Sequence, residues 1–487
     1  MTDCHVRPGS SVYSLMSKYS PFERRHRKVA RWSLYSSALL SGLVLFGLTR
    51  TFTTQLDATP EGAQTKEHWE SVEEVGLLQQ YVQIDTSERE LDGALFLAEQ
   101  LRSFGLEPVV EELGDGRANV WAILEGERAE AVVLHNHIDV FDVLKPKRWK
   151  YPPFSGVIDP PFLYGRGTFD MKSLAIAQLQ AIRRLAEAPE KPRLSVIFLA
   201  TADEESGSRL GVRWVLREHP ELVERFAVVL TEGGVVEPVS VDDIKYWGIE
   251  TAQKRFVDGY ACAETREALA WLSKRISKRR RLFQVPRVTP PVLEFLESYS
   301  VSREDDYLTA TLDLVVDGRV DPIRFRRAPA YLRALFINEL VAFPIVALED
   351  GRFGMRLALH LLPGADFETV LAERLPDWLT HGLDVSFGAP LGATVGSPSD
   401  SPTFRALARA LRARFPNTPV GPHFLAWTAT DARFFRELGI PAYGFTPFLI
   451  FNIESYRADK FNERINLPGF IDGVDLYAEA VAELVGR

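Results

Sequence analysis

Two short stretches of the chain decide its fold: residues 131–139 read AVVLHNHID, and residues 165–172 read GRGTFDMK. The first begins with an uninterrupted apolar run, which is typical of a strand buried on both faces of a parallel sheet. The second places two glycines, which suit a tight turn, just before Asp170, and the apolar residues that follow predict a helix. A histidine and two acids therefore fall where a strand ends or a helix begins.

The same arrangement recurs twice further along the chain. The apolar segments 194–200 and 226–230 are predicted strands, and they are followed by TADEESGS at 201–208 and by TEGG at 231–234. Open α/β sheets bind their ligands beyond the carboxyl ends of the strands. The remaining elements predicted around them are strands at 108–112, 119–124 and 131–135 and helices at 66–84, 91–104 and 173–186. Strands that alternate with helices predict an α/β fold with a mixed sheet.

Each of these polar sites has an ordinary explanation when it is taken alone. His137 and Asp139 lie two residues apart and share a face of an extended backbone, but this pattern also suits a hydrogen-bonded histidine. Asp170 suits a helix N-cap, and the acids at 203–205 suit a solvated loop. The four sites together are much stronger evidence, because a carboxylate-bridged pair of metal ions about 3.5–4 Å apart needs this inventory plus a general base.

The residue types also restrict the metal. The chain has only two cysteines, Cys4 and Cys262, and neither has a neighbour with which to form a thiolate site. Histidine and carboxylate ligands without a thiolate favour zinc, with cobalt or manganese as alternatives. We therefore predict two Zn²⁺ ions per chain.

The length of the chain limits the number of domains, and its charge limits the class of partner. At 487 residues the chain predicts two folded domains and an extension. Of the net charge of −9, residues 1–50 contribute +6, which leaves −15 for the rest. Because the body is this acidic, we predict no nucleic-acid partner.

The N-terminal segment predicts a membrane anchor. A basic cluster at 24–31 precedes an apolar run at 34–48, and a signal anchor, a cleaved signal peptide and a buried helix remain as alternatives. We favour an uncleaved anchor, which leaves the basic side in the cytoplasm and the body on the extracytoplasmic (periplasmic or lumenal) side. The predicted organisation is a cytoplasmic basic segment at 1–32, a transmembrane signal anchor at 33–49 and a linker at 50–65.

The pattern of predicted helices and strands changes after about Tyr246. Residues 249–394 mix predicted helices at 263–275, 330–340 and 366–379 with predicted strands at 307–315 and 353–361. We predict an inserted α+β domain here, between the two segments of a catalytic domain at 66–248 and 395–487. The basic run at 274–281 is either a solvated helix end or a site for an anionic partner.

Taken in order and spacing, these motifs resemble one known family, the co-catalytic zinc peptidases of the aminoacylase-1, carboxypeptidase S and glutamate carboxypeptidase type. The chain would be a bacterial-type, membrane-anchored member with a variant lid. The resemblance covers about residues 67–487 and rests on HID at 137–139, WKYPPF at 149–154, GRGTFDMK at 165–172, DEE at 203–205, EGG at 232–234, TDAR at 430–433, GIP at 439–441 and NER at 462–464.

The resemblance implies a set of metal ligands. One zinc would be held by His137 and Glu232 and the other by Glu205, and Asp170 would bridge both. The family usually has one more histidine, four residues before the glutamate of its last motif, where this chain has Asp459. A carboxylate also binds zinc through oxygen, so we predict that Asp459 completes the second site; the alternative is a single-metal or degraded centre.

The resemblance also implies the chemistry. Glu204 would be the general base that activates the attacking water, and Asp139 would orient His137. The fold would be a mixed-sheet zinc-peptidase catalytic domain with an inserted lid or dimerisation domain, which leaves a homodimer open. The predicted function is hydrolysis of an amide bond in a peptide, as by a carboxypeptidase or dipeptidase, or in an N-acyl amino acid.

Two further departures concern the lid and substrate binding. The family's lid usually carries a histidine that stabilises the oxyanion, whereas residues 254–263 contain none, and losing one such donor costs about 100- to 1,000-fold in rate. His360 stands where an arginine is usual, and Thr428 and Ala429 replace paired glycines. The last two places usually contact the substrate carboxylate in the family, so they bear on carboxypeptidase specificity. The missing lid histidine and the replacement by Asp459 motivate the alternative of a catalytically impaired descendant that binds metal or peptide.

Overall fold

The computed structural model describes residues 65–143, 146–238, 244–282, 285–300, 315–316, 319–328, 330–450 and 459–486. The predicted basic segment and anchor lie outside these residues, as does the predicted linker except for residue 65. Within the described ranges, no helix combines the length and the apolar character that crossing a membrane requires.

The described residues form both strands and helices, joined by turns and loops. In chain order the strands are β1 Val109–Gly114, β2 Arg117–Leu124, β3 Arg128–His137, β4 Val157–Asp159, β5 Phe162–Tyr164, β6 Leu194–Thr201, β7 Phe226–Thr231, β8 Val235–Pro238, β9 Ile244–Gln253, β10 Arg255–Ala263, β11 Val315–Val316, β12 Arg319–Val320, β13 Glu339–Ala347, β14 Phe353–Leu361, β15 Asp384–Phe387, β16 Val420–Leu425, β17 Ala442–Gly444 and β18 Arg464–Asn466.

The helices are numbered in the same way. They are α1 Lys66–Glu70, α2 Glu73–Gln83, α3 Leu91–Ser103, α4 Lys172–Ala186, α5 Val212–Glu218, α6 Pro220–Val223, α7 Arg266–Leu282, α8 Pro290–Ser300, α9 Pro322–Arg327, α10 Ala330–Ala334, α11 Phe367–Arg374, α12 Asp377–Thr380, α13 Pro402–Arg414, α14 Ala432–Glu437 and α15 Leu467–Leu484.

The main sheet is mixed and is covered by helices on both faces. Its strands follow the order β1-β2-β6-β3-β7-β17-β9-β16, and β8 pairs with β9. Along β3, Val132 and Leu134 pack in the core that includes α2, α3, α4, α13 and α15, whereas Ala131 and Val133 pack against α5, α6 and α14. Both faces are therefore buried, which explains the uninterrupted apolar run and confirms the predicted mixed α/β fold.

Three neighbouring parallel strands bring the predicted site together. β3 lies between β6 and β7 and runs parallel to both, with His137 opposite Thr201 and Leu134 opposite Leu230. The carboxyl ends of all three strands therefore meet at one edge of the sheet. The acids that follow β6 and β7 in the sequence lie beside the end of β3, where an open α/β sheet binds ligands.

A second, antiparallel sheet follows the order β13-β14-β10-β15. The chain passes into it at Lys254, between β9 and β10. Helix α7 lies against this sheet through Leu269, Leu272 and Ile276, while its basic residues Lys274, Arg275 and Lys278 are exposed. The exact division into a two-segment catalytic domain and an inserted domain at 249–394 stays a prediction, as does a homodimer.

Some predicted elements differ from the structure for identifiable reasons. The predicted helix 66–84 is broken into α1 and α2 at Ser71, whose hydroxyl donates to the His68 carbonyl at 2.6 Å. The predicted helix 330–340 is wrong beyond Ala334, because Glu339 begins β13 and pairs with β14. Tertiary pairing has overridden the local periodicity there. The predicted strand 307–315 lies outside the described residues apart from its last residue.

Candidate metal centre

The structure brings all five predicted metal ligands together in two overlapping groups. His137, Asp170 and Glu232 form the first group, which we name site A, and Asp170, Glu205 and Asp459 form the second, site B. In each group the ligand atoms lie within 4.8 Å of one another. Asp170 belongs to both groups, which is the position that a bridging ligand would occupy.

His137 is the last residue of β3, and its ring is held from both sides. Its Nδ1 atom lies 2.8 Å from the backbone oxygen of Asp139. Its Nε2 atom lies 3.1 Å from Asp170 Oδ1 and 3.8 Å from Glu232 Oε2. The imidazole therefore presents Nε2 to the two acids of site A, while the backbone contact at Nδ1 sets its orientation.

Asp139 connects the two halves of the centre. Its carboxylate lies 3.5 Å from His137 Nδ1, which is longer than the contact made by its own backbone oxygen. The same carboxylate accepts hydrogen bonds from the backbone N–H groups of Glu204 at 3.1 Å and of Glu205 at 2.9 Å. Asp139 thus holds the turn that carries these two glutamates, in addition to its predicted contact with His137.

A buried ion pair holds the loop that carries Asp170. The Arg166 guanidinium pairs with Glu463, and both side chains are almost fully buried. The other oxygen of Glu463 accepts from the backbone N–H groups of Phe169 at 2.9 Å and of Asp170 at 3.3 Å. Arg166 also donates to the backbone oxygen of Asp459 at 3.1 Å. We name this pair the Arg166–Glu463 clamp, because it ties Asp170 to Asp459.

The sequence analysis predicts no role for Arg166 or Glu463. Both nevertheless lie in motifs that carried the family resemblance, Arg166 in GRGTFDMK and Glu463 in NER. That position was the only available signal, because no local pattern relates two residues this far apart in the chain.

The acids of the centre repel one another electrostatically. Burial, followed by the charges of Asp459 and Asp170, raises the pKa of Glu205 well above its usual value. Burial and then Asp170 likewise raise the pKa of Asp459, and they raise that of Glu232 to about 7. Burial opposes ionisation of Asp170, but the hydrogen bond with His137, the charge of His137, the hydrogen bond with Glu232 and the charge of Arg166 together lower the pKa of Asp170. Such a cluster of partly buried, mutually repelling carboxyl groups favours a bound cation.

The residues present fit two divalent metal ions. Glu205 Oε1 and Asp459 Oδ1 are buried, and neither accepts a hydrogen bond from the described residues. Buried carboxylate oxygens without donors are costly unless a cation compensates them. One imidazole and four carboxylates, with one carboxylate shared, form the ligand inventory of a dinuclear centre.

Glu204, the predicted general base, lies on the short 3₁₀-helix Glu204–Ser206 that follows β6. Burial, followed by the charges of Glu232 and Asp431, raises its pKa well above the usual value. Asp431 is itself buried, accepts a hydrogen bond from the Ser208 hydroxyl, and has a pKa raised by burial to about 6. Glu204 therefore lies in the same acidic cluster as site A and has a high proton affinity.

His135 is close in the sequence but serves the packing of the sheet. Its Nδ1 atom lies 2.8 Å from the Thr231 hydroxyl and its Nε2 atom 3.0 Å from the Thr201 hydroxyl. Burial, followed by the charge of His137, lowers its pKa to about 3. This neutral ring bridges β6 and β7 beneath the site, and both of its nitrogens face hydroxyl groups.

The residues that depart from the family's pattern have defined positions. Asp459 is a site B residue and adopts a φ of +56°, in the left-handed region where aspartate, asparagine and histidine are enriched. His360 is buried on β14, opposite Phe256 and Glu339 on the neighbouring strands. Its ring lies 4.3 Å from that of Phe256, so it is part of the second sheet.

Comparisons with known proteins identify the family and the fold of the chain. The model of the family described as "Peptidase family M20/M25/M40" matches residues 133–483. Aminoacylase-1A of Rattus norvegicus is 25% identical over 434 residues, which cover 84% of this chain and 95% of that protein. Probable carboxypeptidase S-like 2 of Dictyostelium discoideum is 23% identical and covers 72% and 71%, respectively. An M20 family metallo-carboxypeptidase of Sulfolobus solfataricus shares the fold, with a TM-score of 0.64, 18% identity and coverage of 84% and 99%.

Proposed function

Because the chain belongs to the peptidase family M20/M25/M40, we propose that its metal centre hydrolyses an amide bond in a peptide or in an N-acyl amino acid. The observation that carries this proposal is the meeting of all five ligands around the shared Asp170, with Glu204 in the same acidic cluster. The relatives described above, an aminoacylase and a carboxypeptidase by name, support the two substrate classes. The imidazole of His137 favours zinc among the metals.

The residues of the chain divide the work of hydrolysis. When zinc is bound, it polarises the scissile carbonyl and lowers the pKa of water. Glu204 accepts the proton of the attacking water on its carboxylate and then donates it to the leaving nitrogen. The hydrogen bonds from the Glu204 and Glu205 backbones to Asp139 keep the base and a site B ligand in fixed relative positions.

The direct test is a hydrolysis assay with and without metal. The purified chain should release amino acids from members of a panel of dipeptides and N-acyl amino acids. Extraction with a chelator should lower this activity at least 100-fold, and added zinc should restore it. A sample dialysed in parallel without chelator is the control. Hydrolysis that persists in protein shown by elemental analysis to be metal-free would refute the proposed mechanism.

We propose in addition that the N-terminal segment anchors the enzyme, with its catalytic body on the extracytoplasmic side. The support is the basic cluster at 24–31 followed by the apolar run at 34–48. Full-length protein should stay with membranes after alkaline carbonate extraction, and its body should be cleaved by protease added from the extracytoplasmic side. A variant without residues 1–49 should stay in the soluble fraction. Extraction of the full-length protein by carbonate would contradict an anchor.

A further inference from the structure

The two metal sites differ in their donor atoms. Site A combines the imidazole of His137 with the carboxylates of Asp170 and Glu232, whereas site B consists of three carboxylates. The difference arises at one position, because Asp459 stands where the family that the chain resembles usually has a histidine. With a histidine there, each site would have one nitrogen and two carboxylate ligands.

The two sites also differ in their negative charge. Apart from the shared Asp170, site A has one carboxylate and one imidazole, which binds a metal ion in its neutral form, whereas site B has two carboxylates. Among the residues that the structure describes, Arg166 pairs with site B, and its Nη1 atom lies 3.7 Å from Asp459 Oδ1. That guanidinium is already engaged by Glu463. Site B therefore offers one more negative charge and only oxygen donors.

Oxygen and nitrogen donors select different metals. Imidazole suits zinc, copper, iron and nickel, whereas carboxylate ligands suit magnesium, calcium and manganese. We infer that this centre is built for two different ions, zinc in site A and manganese in site B, and that Asp459 is the residue that distinguishes them. The inference deepens the proposed function and rests on it for the assignment of the centre as dinuclear.

The inference concerns how strongly each site prefers zinc over manganese. Zinc binds a given site of nitrogen, oxygen or sulfur donors more tightly than manganese, so the inference concerns the difference between the two sites. An imidazole at site A increases the advantage of zinc, and its replacement by a carboxylate at site B reduces that advantage. A single equivalent of zinc should therefore fill site A and leave site B for manganese.

A titration of the metal-free chain tests this order. One equivalent of Zn²⁺ is added first, followed by Mn²⁺, and bound manganese is measured from the loss of the electron paramagnetic resonance signal of the free ion. We expect one Mn²⁺ to bind per chain while elemental analysis after desalting still finds one Zn²⁺. Failure to bind Mn²⁺ after the first equivalent of zinc, or displacement of that zinc by Mn²⁺, would overturn the inference.

The variant Asp459→His tests the residue itself. The left-handed backbone at this position accepts histidine. The substitution removes the 3.7 Å ion pair of the Asp459 side chain with Arg166 but keeps the hydrogen bond that Arg166 donates to the backbone oxygen, so the fold should be retained. We expect Mn²⁺ to bind the zinc-loaded variant at least 10-fold more weakly. Unchanged binding of Mn²⁺ would refute the role of Asp459.

Two controls make the result specific. His137→Glu, whose longer side chain can bring a carboxylate oxygen to the place of Nε2, gives both sites three carboxylates and should bind two Mn²⁺ per chain, which would support the inference even if Asp459→His failed to fold. One Mn²⁺ or fewer in a folded His137→Glu chain would contradict it. Asp475→His replaces an exposed acid of α15 that pairs with Arg184 and should bind both metals as the unaltered chain does.

The titration needs no substrate, so it separates this inference from the proposed function. If the chain hydrolyses amides through Glu204 but discriminates no metals between its sites, only the inference is wrong. If the metals bind in the stated order but no peptide or N-acyl amino acid is hydrolysed, only the proposed function is wrong.

Discussion

Replacement of Glu204 by glutamine should lower kcat by about 100- to 10,000-fold, the usual contribution of a positioned general base. Glutamine has nearly the same size and can form hydrogen bonds, but it cannot take a proton from the attacking water. Among the described residues Glu204 belongs to neither metal group. The metal content of the variant should therefore equal that of the unaltered chain.

The neighbouring Glu205→Gln variant provides a matched comparison. Glu205 belongs to site B, so this substitution should lower the metal content of the protein as well as its activity. Measurement of kcat, KM and bound metal for both variants separates a base from a ligand. The assignment of Glu204 would be wrong if Glu204→Gln kept more than about a tenth of the original kcat, well above the residual activity expected after loss of a general base.

Replacement of Glu463 by alanine should destabilise the protein by about 3–5 kcal/mol, the typical cost of leaving one partner of a buried ion pair alone. The Arg166 side chain is 2% exposed and that of Glu463 is fully buried. The substitution also removes the acceptor for the N–H groups of Phe169 and Asp170. We therefore expect metal affinity to fall together with stability.

Urea denaturation in the presence of a chelator measures the free energy of unfolding of the metal-free protein. The matched control is Glu483→Ala, which breaks an ion pair with Arg409 whose side chains are 38% and 59% exposed, and it should cost less than about 1 kcal/mol. The double variant Arg166→Met, Glu463→Leu should recover part of the stability, since it removes both charges of the clamp rather than one of them. It should not recover metal affinity, because Asp170 still lacks its anchor. A cost below about 1 kcal/mol for Glu463→Ala would contradict the clamp.

Most of the centre could be predicted because its ligands follow apolar strands. His137, Glu205 and Glu232 each stand just beyond a segment that reads as a buried strand, and Asp170 stands before a clear helix. Parallel pairing of β6, β3 and β7 then brings the strand ends together. Asp459 has no such local signal. Its assignment depended on the family resemblance, and the structure places it beside Glu205 and Asp170.

The contacts that hold the ligands could not be read from local patterns. The pairing of Arg166 with Glu463 joins residues 297 positions apart in the chain. Asp139 accepts hydrogen bonds from two backbone N–H groups, and these bonds depend on the geometry of a turn. No residue type in the sequence predicts that geometry. The error at 330–340 has a similar origin, because pairing with β14 decides the conformation at Glu339.

The position of β17 has a consequence for how the protein is made. This short strand lies between β7 and β9 in the main sheet, parallel to one and antiparallel to the other, although it is synthesised long after both. Until the ribosome has delivered it, β7 and β9 have no partner at the centre of the sheet, and unpaired strand edges invite aggregation. Nascent chains that end before Ala442 therefore cannot complete the sheet beneath site A, and productive folding waits for the C-terminal segment.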